Sequence, residues 1–190
     1  MSKMLNEADL TAPKTFAPQN EGYILDNLKY SLDSKYPSLK CINKNPHTAK
    51  LIQENFSSSI SEYTAFCQYS YDYIVARTQN NDVAEAFNQI ALVELEHMKI
   101  FGELIVSLGA VPYYKGDWKN KFWQGNFVKY NTNLRTMLLC AISDEKKAIK
   151  QYEKSIELID DTQIISLIQR IILDEELHIK TFKDLLNRLG

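Results

Sequence analysis

Over residues 164–189, helical spacing predicts an inward face of Ile164, Ile168, Ile171, Glu175, His178, Phe182, Leu185 and Leu189, in alternating steps of four and three residues. That alternation is the repeat of one side of a long α-helix turned toward a core. Glu175 and His178 interrupt the apolar series. At i and i+3 they stand side by side on a surface that must be buried. The same register recurs over residues 83–108, where the face is Val83, Phe87, Ile90, Glu94, His97, Phe101, Leu104 and Leu108. Both the glutamates and the histidines of the two stretches are offset by 81 residues.

Two further helices are predicted. Residues 48–77 contain neither proline nor glycine, and their candidate face is Leu51, Asn55, Ser58, Glu62, Ala65, Tyr69, Tyr73 and Ala76. Residues 134–159 present Leu134, Leu138, Ala141, Glu145, Ala148, Tyr152, Ile156 and Ile159, so Glu62, Ala65 and Tyr69 recur as Glu145, Ala148 and Tyr152. In chain order the helices are A (48–77), B (83–108), C (134–159) and D (164–189). The polar links at 78–82 and 160–162 are short enough to make A–B and C–D antiparallel neighbours, with Asp160, Asp161 and Thr162 capping helix D. Between B and C, Pro112, Gly116 and Gly125 exclude a helix, and the connection is long enough to run from one end of a bundle to the other. Upstream, prolines at 13, 18, 37 and 46 punctuate a polar arm that is expected to hold one helical turn and to pack on the body or on a partner subunit. The expected fold is all-α: a four-helix bundle of two antiparallel pairs joined by a long crossover, with an irregular N-terminal arm. Residues 1–47 form the extension and residues 48–190 the bundle.

Composition narrows the function classes. A chain of 190 residues suits one domain with a substantial core, and a net charge of -2 offers no general attraction to nucleic acid or an anionic membrane. Seven aromatics from Tyr113 to Tyr130, interleaved with Lys115, Lys119, Lys121 and Lys129, resemble a single-strand stacking surface. Without a basic excess, they are better read as covering the bundle ends or forming a subunit contact. No apolar leader opens the chain and no run is long enough to span a bilayer, so a cytoplasmic location is expected. Cys41, Cys67 and Cys140 form no C-x-x-C and are expected to be free, buried thiols. Cys41 with His47 is too small a set for a metal site.

The chemistry lies in the repeated pairs. A single Glu–His pair is an ordinary core histidine satisfied by its neighbour; two pairs in one register ask for a chemical reason. Packed as a bundle, the four helices can bring Glu62, Glu94, His97, Glu145, Glu175 and His178 together at mid-height. Four carboxylates in a low-dielectric core repel and take up protons unless cations offset them. Two divalent ions balance four carboxylates and two neutral imidazoles, and this oxygen-rich donor set suits iron or manganese. Tyr69 and Tyr152 lie two turns along from Glu62 and Glu145, where each hydroxyl either bonds a carboxylate of the site or is satisfied elsewhere. Gln68 and Asp144 sit beside the face without an assigned role. Glu96 and Glu176 point off it toward solvent.

On these motifs, residues 48–189 resemble the ferritin-like di-metal carboxylate superfamily, and within it the rubrerythrin-related branch. The resemblance implies that Glu62 and Glu145 are the helix A and C ligands, with a bridging carboxylate among the set, and that Glu94, His97, Glu175 and His178 complete the site. Typical rubrerythrins carry another helix C glutamate where this chain has Ala148. They also append a four-cysteine iron domain that this sequence lacks, so electrons would come from a separate donor protein. Bacterioferritins bind haem through a methionine where this chain has Leu95, and no haem is expected. The implied activity is reduction of hydrogen peroxide by two iron or manganese ions in a homodimer. Ferrous oxidation by dioxygen and manganese-based peroxide disproportionation are the alternatives within enzymes. A metal-stabilised coat or scaffold subunit, or an interaction module built on the arm and crossover, are the alternatives outside them.

Overall fold

The computed structural model describes residues 28–40, 42–115 and 122–190. Their α-helices are α1 (Pro46–Ser57), α2 (Glu62–Ala76), α3 (Asn81–Ser107), α4 (Leu134–Glu157) and α5 (Thr162–Arg188). Each begins on a side chain suited to cap it. Asn45, Ser61, Asn80, Asn133 and Asp161 accept hydrogen bonds from the first backbone N–H groups of α1 to α5 in turn. No helix among the described residues is long and apolar enough to cross a membrane.

One predicted helix is two. The helix expected over 48–77 stops at Ser57 and restarts at Glu62, because the serine run offers the backbone other partners. Ser58 Oγ bonds both the carbonyl and the N–H of Ile60, Ser61 Oγ donates to the Ser58 carbonyl at 2.7 Å, and Thr64 Oγ1 donates to the same carbonyl at 2.6 Å. The break resets the register. In α1 the buried positions include Ile52, Asn55 and Phe56, whereas the expected Leu51 and Ser58 are half-buried. It also makes Glu62 the first residue of a helix, where the macrodipole favours a carboxylate.

Helix α3 ends in a Schellman turn. Gly109 has φ +87°, with hydrogen bonds from its N–H to Val106 and from the Ala110 N–H to Ile105. A methyl group at Gly109 would be strained by the left-handed backbone and would approach Lys44 Cγ to 3.1 Å. Gly109→Ala is therefore expected to lower stability by about 1 kcal/mol, read by denaturant unfolding. From this turn the crossover passes Ser57 at the end of α1. It then follows α2 past Thr64, Gln68, Tyr71 and Gln79, reached by Trp123, Lys129, Asn131 and Thr132 respectively. Its described residues thus lie along a flank of the bundle and return the chain to the end at which α3 began, the end-to-end run expected of it. Helices α3 and α4 therefore run parallel, with α2 and α5 antiparallel to them.

The described part of the arm lies on the body. It runs antiparallel to α5, with Lys40 bonded to Gln163, the Ser34 carbonyl to Arg170, and the Tyr30 carbonyl to His178. Among its described residues the arm holds a turn in which the Ser31 N–H bonds the Leu28 carbonyl. Residues 1–27 and Cys41 lie outside the described residues. Cys67 and Cys140 are half-buried, not buried as expected, because α2 and α4 each turn that flank partly to solvent.

The apolar interior is in two parts. One gathers Phe56, Phe101, Leu104, Tyr152 and Ile168; the other gathers Tyr69, Phe87, Ile90, Leu138 and Phe182. Along α3, α4 and α5 the residues that separate these parts are the polar ones singled out by spacing. A polar layer therefore crosses the bundle between two dry halves.

Candidate metal centre

Glu62, Glu94, His97, Glu145, Glu175 and His178 converge in that layer, each at most 2% exposed. Their ligand atoms form two groups, Glu62–Glu94–His97–Glu175 and Glu94–Glu145–Glu175–His178, with separations within each group below 4.8 Å. Glu94 and Glu175, at the centre of the two longest helices, belong to both groups. Glu62 and Glu145 belong to one each. His97 Nδ1 lies 3.2 Å from Glu175 Oε1, 3.6 Å from Glu94 Oε2 and 3.7 Å from Glu62 Oε2. His178 Nδ1 lies 3.0 Å from both Glu94 Oε1 and Glu175 Oε2, and 3.5 Å from Glu145 Oε1.

Of these contacts, His178 Nδ1 to Glu175 Oε2 is an aligned hydrogen bond. Among the described residues, Glu94 Oε1 and Oε2, His97 Nδ1 and Glu175 Oε1 are buried without an aligned hydrogen-bond partner. Such groups cost roughly 1–3 kcal/mol each when left unsatisfied, more when charged. All of them face the interior of the polar layer. A cation there would satisfy them together, so the donor set fits a pair of divalent ions.

Electrostatics without an ion point the same way. Burial, then repulsion from Glu175, Glu145 and Glu62, holds the Glu94 carboxyl well above the usual carboxylate range. Burial and then Glu175 push Glu145 up to about 7. Burial opposes charge on both imidazoles, yet the surrounding oxygens hold His97 and His178 above their ordinary value. Glu175 is also buried, but its bond to His178 and the nearby His97 imidazole outweigh burial and keep it low. The cluster therefore offsets its negative charge with protons that a bound cation would displace.

The two tyrosines cross over between halves. Tyr69 of α2 donates to Glu145 Oε1 of α4 at 2.6 Å, and Tyr152 of α4 donates to Glu62 Oε1 of α2. Burial first, then the adjoining carboxylates, raises both phenols, which keeps each O–H available as a donor. Gln68, given no role by its spacing, is buried and bonds both backbone groups of Lys129, pinning the crossover to α2. Asp144 pairs with Lys129 and with Lys147. Beside them lies a cavity of about 230 Å³ whose lining includes Thr64, Ala65, Gln68, Tyr69, Ala148 and, from the centre, Glu145. Glu96 pairs with Lys99 at the surface, Glu176 is exposed, and His47 is exposed at the start of α1.

Residues that spacing did not single out lie behind the histidines. Asp174 is fully buried and bonds His97 Nε2 through Oδ2 at 3.2 Å. Tyr36, from the arm, donates to the same Oδ2 and lies 2.9 Å from His97 Nε2. His178 Nε2 instead meets the Tyr30 carbonyl at 3.1 Å. Each imidazole thus turns Nδ1 to the carboxylates and Nε2 to a fixed partner. The Arg170–Asp174 pair at i, i+4, on the flank of the apolar stripe, was the one local signal of this arrangement.

Comparisons with known proteins bear on this geometry. The rubrerythrin family model matches residues 43–186. A probable manganese catalase of Clostridium acetobutylicum is 26% identical over 171 residues, spanning 80% of this chain and 75% of the relative. Among solved structures, the manganese catalase KatB of Anabaena matches with a TM-score of 0.74 at 22% identity, covering 80% of this chain and 76% of that one. The bacterioferritin BfrA of Mycobacterium tuberculosis matches with a TM-score of 0.62 at 21% identity, covering 78% and 91%. At such identities the two structures speak to the fold, which is that of a ferritin-like bundle.

Proposed function

The chain belongs to the rubrerythrin family, and from that premise we propose that its buried polar layer holds two divalent ions, iron or manganese, and consumes hydrogen peroxide. The observation that carries this reading is the sharing of Glu94 and Glu175 between two groups, each completed by one histidine Nδ1 and one further carboxylate. Glu62, Glu94, His97 and Glu175 would hold one ion and Glu94, Glu145, Glu175 and His178 the other, with Glu62 and Glu145 at the two ends. Bound ions of this kind supply Lewis acidity and two one-electron steps to a small oxygen substrate.

The chain's own residues then have definite tasks. Tyr69 and Tyr152 orient the terminal carboxylates and retain their protons. The apolar layers on either side keep bulk water from the centre. The cavity beside Glu145 has room for a molecule the size of peroxide, and the small Ala148 helps to leave it open. In the reaction, peroxide takes up two electrons and two protons, its O–O bond breaks, and water leaves. A separate donor protein would return the electrons, and the active species would be a cytoplasmic homodimer.

The likeness to two manganese catalases, one of them probable, favours a second reading, disproportionation of peroxide to dioxygen and water with no external donor. One experiment separates the readings. Protein loaded with iron or with manganese is given peroxide with and without a chemical reductant, while peroxide and dioxygen are followed together. Peroxide loss that requires reductant and evolves no dioxygen supports reduction; dioxygen evolution without reductant supports disproportionation. Absence of turnover with either metal, alongside a higher melting temperature on loading, would overturn both and leave a structural metal centre.

A further inference from the structure

The two halves of the centre are alike in the residues that face it and unlike in what stands behind them. Behind His178, among the described residues, Nε2 meets the neutral Tyr30 carbonyl. Behind His97 stands a carboxylate whose oxygens are fully engaged. Asp174 Oδ1 accepts from the Leu32 N–H at 2.8 Å and lies 2.8 Å from Arg170 Nη1; Oδ2 accepts from Ser31 Oγ at 3.2 Å and from the Tyr36 hydroxyl. Arg170 in turn stacks over the Tyr36 ring at 4.4 Å and donates to the Ser34 and Leu32 carbonyls. With Nδ1 turned to the carboxylates, His97 Nε2 therefore faces a carboxylate and a hydroxyl held jointly by α5 and the arm.

A carboxylate behind a ligating imidazole fixes its tautomer and raises its basicity more than a carbonyl does. We propose that Tyr36, with Asp174, is a positioning residue that makes the two metal positions unequal, so that the His97 position fills first and holds its ion more tightly than the His178 position. The tyrosine holds Asp174 Oδ2 against His97 Nε2 and can accept from that nitrogen itself, while its own proton goes to the carboxylate. It touches neither position directly. The N-terminal arm thereby becomes part of the centre, since losing its hold on α5 would leave Asp174 and Arg170 to face water.

This inference rests on the di-metal reading above, and its test separates the two. Metal-free protein is titrated with manganese(II) by calorimetry, with bound metal counted by elemental analysis, for the native chain, Tyr36→Phe, Asp174→Asn and His178→Ala. The native chain is expected to bind in two resolved steps. His178→Ala should lose the weaker step and keep the tighter one. Tyr36→Phe keeps the ring over Arg170, and should weaken the tighter step by about tenfold while leaving the weaker one in place. Asp174→Asn should weaken the same step by about 10–100-fold. A thermal melt of metal-free Tyr36→Phe close to that of the native chain separates this effect from misfolding. Two equal steps in the native chain, or equal weakening of both steps in Tyr36→Phe, would overturn the inference and leave the di-metal reading standing. Failure of the native chain to bind any ion would overturn both.

Discussion

Replacing Glu94 and Glu175 together by alanine is expected to take the protein from two bound ions to none, whereas Glu145→Ala is expected to leave one. Glu94 and Glu175 each contribute to both four-residue groups, so neither metal position survives their loss with more than one carboxylate and one imidazole. Glu145 belongs to the His178 group alone. Its removal leaves Glu62, Glu94, His97 and Glu175 as a complete set for one ion. Elemental analysis of protein purified without oxygen gives the stoichiometry directly. The same variants separate in stability. An ion present at a hundredfold excess over its dissociation constant stabilises the native state by about 2.7 kcal/mol per site. Adding a chelator should therefore lower the melting temperature of the native chain, lower it less for Glu145→Ala, and leave the double variant unchanged. An unaltered metal count in the double variant would remove the basis for the centre.

Raising the pH through neutrality is expected to destabilise the metal-free protein and to leave the loaded protein nearly flat. Glu94 and Glu145 have folded-state values above those of the unfolded chain, Glu145 at about 7. Stability from such groups is complete below the unfolded value and is lost as pH rises toward the folded one. His97 and His178 are raised as well, so their contribution falls as pH climbs from the ordinary histidine value through the raised one. Glu175 and Asp174 are lowered, and their contribution is present at neutral pH and is lost only toward acid. Above neutral pH the losses therefore share one sign. Each group protonated in the fold but not in the unfolded chain costs up to about 1.4 kcal/mol per pH unit. Bound cations displace those protons, removing the dependence and making metal affinity rise with pH. Thermal melts of chelated and loaded protein between about pH 6 and pH 9 check this; parallel curves would contradict it.

Much of the architecture was legible because it is local. Residues three and four apart share a helix face whatever the rest of the chain does, so periodicity alone placed Glu94, His97, Glu175 and His178 on inward faces. It did the same for Glu62 and Glu145, although it ran a helix through the serine run at 57–61, where side-chain bonds to the backbone end one helix and cap the next. Composition set the limits within which those faces could be read, through a near-neutral charge and too few cysteines for a thiolate site.

The partners of those residues were decided by tertiary structure alone. Tyr69 bonds the glutamate of the other half because antiparallel packing brings α2 against α4, and no spacing within one helix contains that pairing. Asp174 sits beside the apolar stripe, where one residue's offset is the difference between solvent and a histidine. Tyr36 lies 138 residues from Asp174 and 61 from His97, in a stretch without helical periodicity. Its place depends on Arg170 and Asp174 gathering the backbone and hydroxyls of the arm, a satisfaction of buried charge that appears only when the chain has closed. Helical periodicity thus settles which side chains face the core; only the closed fold settles which of them meet, which two are shared, and what stands behind each histidine.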